Sequence, residues 1–160
     1  MLNNDLTVLI DKFLELQSST TFFLEETCGG KIHSSIQLQY ETQQSGSTLI
    51  NRAVKLYFNS PAMPILFCKS FLVKEKMTPQ EYNAIAFDEL PIGRIFHAYN
   101  PTESIMKQHF RTEKYSSNSI AKELNVSSNK IYDKQYDYWV DNRKIGVIHE
   151  YFNEESLGRI

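Results

Sequence analysis

Long apolar runs, cysteines and glycines are all scarce in this sequence. Its 160 residues include 2 cysteines, 6 glycines and 5 prolines. No apolar stretch approaches the ~20 residues that a membrane-spanning helix needs. The N-terminal segment MLNNDLTVLIDKFLEL places acids among its apolar residues, so we interpret it as neither a signal peptide nor a membrane span. We therefore expect the mature protein to be this whole chain.

The cysteines and the charges argue against two kinds of partner. Cys28 and Cys68 lie far apart and lack a CxxC or histidine-rich companion, so we expect no metal site and predict reduced thiols. This suits a cytoplasmic location, or the plastid stroma if the protein is organellar. The 17 basic and 19 acidic residues form no single-sign block, which argues against nucleic acid and anionic membrane surfaces. A small-molecule function is favoured.

Helical signals occur in the first and middle thirds. Apolar residues at helical spacing predict an amphipathic helix over 5–17, and a second short helix is expected between Ser19 and Gly29. The segment Thr78–Glu81 has a capping-box arrangement with proline at the first helical position, which predicts a helix to about Phe87. Residues 90–96 are expected to open another short helix.

Alternation of apolar and polar residues predicts strands over much of the remaining chain. The segments are 31–41, 48–58, 65–73, 131–140 and 144–152, with a weaker strand prediction over 105–114. Turn residues join 48–58 to 65–73 and 131–140 to 144–152 as antiparallel hairpins. We therefore predict an α+β fold, with helices covering a mainly antiparallel sheet around an internal cavity, as a single domain over 1–160.

Strand alternation also predicts charged side chains that point inward. Arg52 shares its side of the strand with Ile50, Val54 and other apolar residues, so we expect it to face the core. The same argument places Lys69 beside Phe67 and Phe71. Glu150 shares a side with Ile148 and Phe152, although both faces of that strand are apolar.

Three explanations of these inward charges remain open at this point. Isolated buried charges are costly, so Arg52 and Glu150 could form a buried salt bridge. Alternatively, two cations and one acid could line an anion-binding cavity, since they leave a positive site. The third explanation is that the strand register is mistaken.

The chain resembles the chorismate–pyruvate lyases. The resemblance lies in the order of an inward arginine in LINRAVKLYF, a cation in ILFCKSFLV, a capped helix, LPIGRIF, and a final strand GVIHEYF. It runs from about Leu14 to Phe152, over motifs that are individually short and degenerate.

The resemblance implies roles for six residues. Arg52 would bind the substrate carboxylate and Glu150 would contact the ring hydroxyl, as the two catalytic residues. The second cation of the substrate site would be Lys69, where the family often has arginine. Backbone amides near Thr20 and at Ile92, just before Gly93, would help to hold the aromatic carboxylate.

The implied activity is elimination of pyruvate from chorismate to give 4-hydroxybenzoate, a precursor of ubiquinone or plastoquinone, without any cofactor. Two cations in a dry pocket would match the dianionic chorismate. The alternative is a non-catalytic module of the same fold, similar to the UTRA effector-binding domains of bacterial regulators, which would bind a small aromatic acid. Such a domain normally follows a DNA-binding domain, and only about 17 residues precede the predicted fold. A structural protein with a buried salt-bridge cluster is a third possibility, and the oligomeric state stays open between a monomer and a small homo-oligomer.

Several other residues are interpreted as structural. Residues 119–127 resemble part of a DNA-binding helix-turn-helix, but the following segment is β-rich, so we expect a solvated helix over the ligand cavity instead. His97 and His109 lack a recognisable nucleophile partner. His149 and Cys68 are expected to point away from the pocket.

Overall fold

The computed structural model describes residues 3–160, which form helices packed on one antiparallel sheet. The helices are α1 (Asn3–Glu15), α2 (Thr20–Cys28), α3 (Pro79–Phe87), α4 (Ile92–Tyr99), α5 (Asn118–Leu124) and α6 (Glu154–Leu157). The strands are β1 (His33–Gln44), β2 (Ser47–Tyr57), β3 (Leu66–Val73), β4 (Ile105–Ser116), β5 (Lys130–Val140) and β6 (Arg143–Phe152). Short 3₁₀ turns occupy Lys74–Lys76 and Thr102–Ser104.

The six strands form one sheet in the order β1-β2-β3-β6-β5-β4, and every neighbouring pair is antiparallel. This confirms the predicted α+β class. The helices predicted from the sequence are also present. At the start of α3, for example, Thr78 and Glu81 form the reciprocal capping-box bonds. Within residues 3–160 no helix is long and apolar enough to cross a membrane.

Two separate apolar clusters lie on one face of the sheet, called here the inner face. The first joins α1, α2 and α6 to the sheet through residues such as Phe13, Val54 and Phe152. The second joins α3 and α4 to it through residues such as Ile50 and Phe96. Val54 and Ile50 flank Arg52 in β2, so the arginine lies where one cluster gives way to the other.

The outer face carries a smaller cluster under α5. Ile120, Ala121 and Leu124 of α5 pack on Phe67 and Tyr151. The prediction that this helix covers the ligand cavity is therefore wrong. The chain leaves α5 through Asn125 in the left-handed conformation and enters β5 at Lys130, which leaves no room for the second helix of a helix-turn-helix.

Gly146 of β6 is required by close backbone packing. A Cβ atom at this position would lie 2.0 Å from the carbonyl oxygen of Phe71 in β3. We expect Gly146→Ala to lower the free energy of unfolding by at least about 1–3 kcal/mol, the usual cost of overpacking. Urea denaturation would measure this, with Gly158→Ala as control because its added methyl approaches backbone no closer than 3.1 Å. Equal effects at the two sites would contradict the close approach.

Candidate ligand cavity

A cavity of about 330 Å³ lies on the inner face, between the two apolar clusters. Its floor is the sheet, and its walls are the N-terminal ends of α2 and α4 with the segment that precedes α2. Most of the lining is apolar, including Phe22, Val54, Leu56, Ile92, Ile105 and Ile148. A few buried polar side chains interrupt this lining, an arrangement that is typical of small-molecule sites.

Arg52 is buried in the cavity floor with only 2% of its surface exposed. Its Nε donates to Oε1 of Gln39 at 3.1 Å, and its Nη2 donates to the carbonyl oxygen of Leu90 at 2.8 Å. Gln39 is itself held by the carbonyl oxygen of Ile85 at the end of α3. These contacts fix the guanidinium group, and burial lowers the pKa of Arg52 to about 10, which still leaves it charged at neutral pH.

Glu150 is equally buried, and only one of its carboxylate oxygens is bonded. Thr20 Oγ1 and Tyr136 OH donate to Oε2 at 2.6 Å and 3.0 Å. The other oxygen, Oε1, is buried without a hydrogen-bond partner among residues 3–160. An unsatisfied buried acceptor is costly, so Oε1 is available for a donor group on a ligand.

Arg52 and Glu150 both line the cavity but do not form an ion pair. Within the described part of the chain, no carboxylate lies within 4.0 Å of the Arg52 guanidinium. The explanation of the inward charges as a direct Arg52–Glu150 salt bridge is therefore wrong. Arg52 is bonded to neutral oxygens only, which cannot neutralise its charge.

The second cation of the cavity is Lys107, not Lys69. Arg52 lies opposite Ser70 in the β2–β3 pairing, and Val54 lies opposite Cys68, so the even-numbered side of β3 faces the cavity. Lys69 points to the outer face, where its Nζ lies 6.0 Å from the centre of the Phe67 ring. The inward orientation predicted for Lys69 is wrong because both sides of β3 carry apolar residues, so alternation alone could not choose between them.

Lys107 of β4 is buried and reaches the site over an aromatic ring. Its Nζ lies 4.5 Å from the centre of the Tyr136 ring and donates to Thr20 Oγ1 at 2.8 Å. The Thr20 hydroxyl in turn donates a hydrogen bond to Glu150 Oε2, so it connects the ammonium group to the carboxylate. Burial lowers the pKa of Lys107, while the charge of Glu150 opposes this shift. The weak strand pattern over 105–114 did not predict that Lys107 points into the cavity.

The other residues implied by the resemblance lie where two helices begin. Ser19 caps α2, Thr20 and Thr21 open it, and Ile92 and Gly93 open α4; all five line the cavity. A Cβ atom on Gly93 would lie 3.0 Å from Ser19 Oγ, so glycine allows the two helix ends to approach closely. Glu25 and Arg94 form an ion pair that also joins α2 to α4.

Cys68 and the histidines differ partly from the predictions. Cys68 lines the cavity, contrary to prediction, and burial followed by the nearby Glu150 charge raises the pKa of its thiol well above the ordinary value. It is therefore a protonated thiol and not a nucleophile. His97 also lines the cavity, with its pKa lowered by burial and then by Lys107. His149 lies on the outer face, as predicted, and contacts Asp133.

A third buried cation, Lys134, supports the cavity wall from beneath. Lys134 lies opposite Glu150 in the β5–β6 pairing, and its Nζ donates to the carbonyl oxygens of Phe13 and Leu16 at 2.8 Å and 2.6 Å. It thereby holds the C-terminal end of α1 and the start of the segment that leads to α2.

The lowered pKa of Lys134 implies that this residue makes the folded protein more stable as the pH becomes alkaline. Burial lowers its pKa to about 8, against about 10.4 in an unfolded chain. Between these values the unfolded chain binds more protons, so folding becomes more favourable as pH rises. We expect the unfolding free energy of the wild type minus that of Lys134→Met to increase from about pH 8 to about pH 10, as measured by urea denaturation. A difference that stays constant or shrinks would contradict the depressed pKa.

Within residues 3–160, no cluster of three or more His, Cys, Asp or Glu side chains is placed to hold a metal ion. The charged groups that line the cavity are Glu26, Arg52, Lys107 and Glu150. Glu26 is exposed, so water and salt screen its charge. The buried side chains of the lining therefore carry two positive charges and one negative charge, a formal sum of +1, and the buried Lys134 behind them adds a further positive charge that Glu150 partly offsets.

Comparisons with known proteins reveal similarity of fold only. No protein-family model and no curated protein matches the sequence. PhnF from Mycobacterium smegmatis superposes with a TM-score of 0.65 at 8% identity, over 87% of this chain and 65% of that one. The ligand-binding domain of a Bordetella bronchiseptica protein assigned to the GntR-family transcriptional regulators gives 0.57 at 13% identity, over 78% and 85%. YydK from Bacillus subtilis, assigned to the transcriptional regulators, gives 0.57 at 9% identity, over 78% and 59%.

These comparisons overturn the prediction that the chain is a carbon–oxygen lyase. Where the descriptions of the similar structures state a role, it is that of a transcriptional regulator, a repressor domain or a ligand-binding domain of a regulator, so nothing in them supports elimination of pyruvate. The named sources are bacteria, and a plastid location has no support. The chain spans less than two thirds of PhnF and of YydK but most of the isolated Bordetella domain. Its fold is that of the chorismate lyase-like, or UTRA, ligand-binding domains of GntR-family regulators.

Proposed function

We propose that this chain is a non-catalytic module that binds a small organic acid in the cavity on its inner face. The observation that carries the proposal is Arg52, a buried guanidinium group in the cavity floor without a carboxylate partner among the described residues. Burying an uncompensated charge is costly, and an anionic ligand would offset that cost. Its fork of donors suits a carboxylate.

The charge count favours a ligand with one negative charge. Lys107 is connected to Glu150 through Thr20, so these two charges offset each other and Arg52 remains. A monoanion would neutralise the charge of the buried lining residues.

Glu150 favours a ligand with a hydrogen-bond donor away from its carboxylate. The unpaired Oε1 can only accept when the carboxylate is ionised, so the matching group is a hydroxyl or an amine. 4-Hydroxybenzoate has both features and is small enough for a cavity of about 330 Å³. It is therefore a suitable first probe.

The fold supports an effector-binding role. One similar structure is described as the ligand-binding domain of a regulator, and this chain covers 85% of it. We therefore propose that the acid acts as an effector whose binding is reported to another part of a regulatory protein.

Isothermal titration calorimetry tests the proposal with three probes of similar shape. We expect 4-hydroxybenzoate to bind, 4-hydroxybenzamide to bind at least about tenfold more weakly because it lacks the charge, and the dianion terephthalate to bind weakly or not at all. Chorismate incubated with the protein should release no pyruvate above background. Equal binding of the amide and the acid would refute an anion site at Arg52.

A further inference from the structure

A second buried polar group in the cavity lacks a partner. Four buried side-chain polar atoms within residues 3–160 have no hydrogen-bond partner, and two of them belong to residues that line the cavity. One is Glu150 Oε1, discussed above. The other is the hydroxyl of Tyr138, a residue of β5 that is only 3% exposed.

The strand register places these groups in three successive rows across the cavity floor. Arg52 lies in the middle row, which continues through Ser70 and Ile148 to Tyr136. Glu150 lies in the next row towards one end, opposite Cys68. Tyr138 lies in the next row towards the other end, opposite Gly146.

The two unpaired groups therefore stand on opposite sides of the arginine. Glu150 and Gly146 are separated by four residues along β6, which corresponds to about 13 Å between the outer rows at the level of the backbone. The long side chains shorten this span within the cavity. A ligand whose carboxylate contacts Arg52 can thus extend polar groups in both directions along the sheet.

The surroundings of Tyr138 make a ligand the appropriate partner for its hydroxyl. The ring packs against Phe96, with centroids 5.4 Å apart, inside the second apolar cluster. Burial raises the pKa of Tyr138, so the hydroxyl stays neutral and can donate or accept. Leaving such a group unsatisfied destabilises the free protein, whereas a bound polar group would satisfy it.

We propose that the Tyr138 hydroxyl is a ligand-contacting and specificity-determining group, and that the ligand is a small acid with at least two separate hydroxyl or amino groups. One of these groups would bind Glu150 Oε1 and the other Tyr138. The inference rests on the proposed acid-binding function and deepens it. It predicts that an acid with a single hydroxyl uses only part of the site.

The experiment compares 4-hydroxybenzoate with 3,4- and 3,5-dihydroxybenzoate by calorimetry on the wild type and on Tyr138→Phe. We expect at least one dihydroxy acid to bind the wild type about tenfold more tightly than 4-hydroxybenzoate, the value of one additional hydrogen bond in a dry site. In Tyr138→Phe that advantage should disappear, so that the dihydroxy acids and 4-hydroxybenzoate bind with similar affinity.

Two controls separate this inference from the function on which it rests. Tyr138→Phe removes no hydrogen bond seen in the protein, so its melting temperature without ligand should be equal to or above that of the wild type. Tyr136→Phe removes a bond to Glu150 and should weaken all three acids together. Failure of every acid to bind the wild type would overturn the acid-binding function. If the acids bind but neither dihydroxy acid gains, or if the gain survives in Tyr138→Phe, the assignment of Tyr138 is overturned.

Discussion

Arg52→Ala should abolish measurable binding of 4-hydroxybenzoate while leaving a folded protein. Truncating one partner of a buried, hydrogen-bonded charge pair costs about 2–5 kcal/mol, so affinity should fall on the order of 10²-fold or more. Stability should fall less, because the variant also removes a buried charge. What remains is the loss of a donor to Gln39 and to the Leu90 carbonyl, worth about 1–3 kcal/mol. Calorimetry and urea denaturation measure the two effects separately.

Lys69→Ala provides the matched control for Arg52→Ala. It removes a positive charge from the neighbouring strand, but on the outer face. We expect its affinity for 4-hydroxybenzoate to equal that of the wild type. Arg52→Lys keeps the charge and loses the fork, so it should fall between wild type and Arg52→Ala. If Lys69→Ala weakens binding as much as Arg52→Ala, general electrostatic attraction explains the affinity and the cavity assignment fails.

Glu150→Ala should be the most destabilising change in the cavity. Glu150 is the acceptor for Thr20 and Tyr136, and its charge offsets that of Lys107. Removing one member of a buried charge pair typically costs about 3–5 kcal/mol, because the remaining charge is left uncompensated. Urea denaturation at neutral pH should reveal a loss of this size in the free energy of unfolding.

A double-mutant cycle shows whether Lys107 is the charge that Glu150 offsets. Lys107→Met removes the cation and keeps much of the side-chain volume, so combining it with Glu150→Ala should recover part of the stability lost in Glu150→Ala alone. Strictly additive effects would mean that the two charges do not interact. Glu150→Gln, which keeps the size, should shift ligand preference from the monoanion 4-hydroxybenzoate towards the dianion terephthalate.

The cavity exists because the inner face has two cores instead of one. The helices α1, α2 and α6 pack on one end of the sheet, and α3 and α4 pack on the other. Polar residues occupy the inner-face positions between them, among them Arg52, Ser70 and Glu150. Burying these groups against another helix would leave them unsatisfied, so the space between the cores suits a polar ligand.

The sequence by itself determined the secondary structure of most of the chain and the inward orientation of Arg52. Alternation in β2 is strict. Apolar residues precede and follow Arg52 on the same side of the strand, so only one orientation of the strand buries them. The capping box of α3 and the turn residues of the hairpins are equally local signals. They depend on neighbours in the chain, which a sequence displays directly.

Only the tertiary structure decided which residues complete the site. Both sides of β3 are apolar, so the direction of Lys69 depended on pairing with β2 and β6 and not on its own pattern. Lys107 and Tyr138 face each other across β4 and β5, and Lys107 reaches Thr20, 87 residues away in sequence. Such contacts bring together segments whose local patterns carry no information about each other. The unpaired atoms of Glu150 and Tyr138 become visible only when every possible protein partner has been placed, which is why the ligand site belongs to the fold and not to any motif.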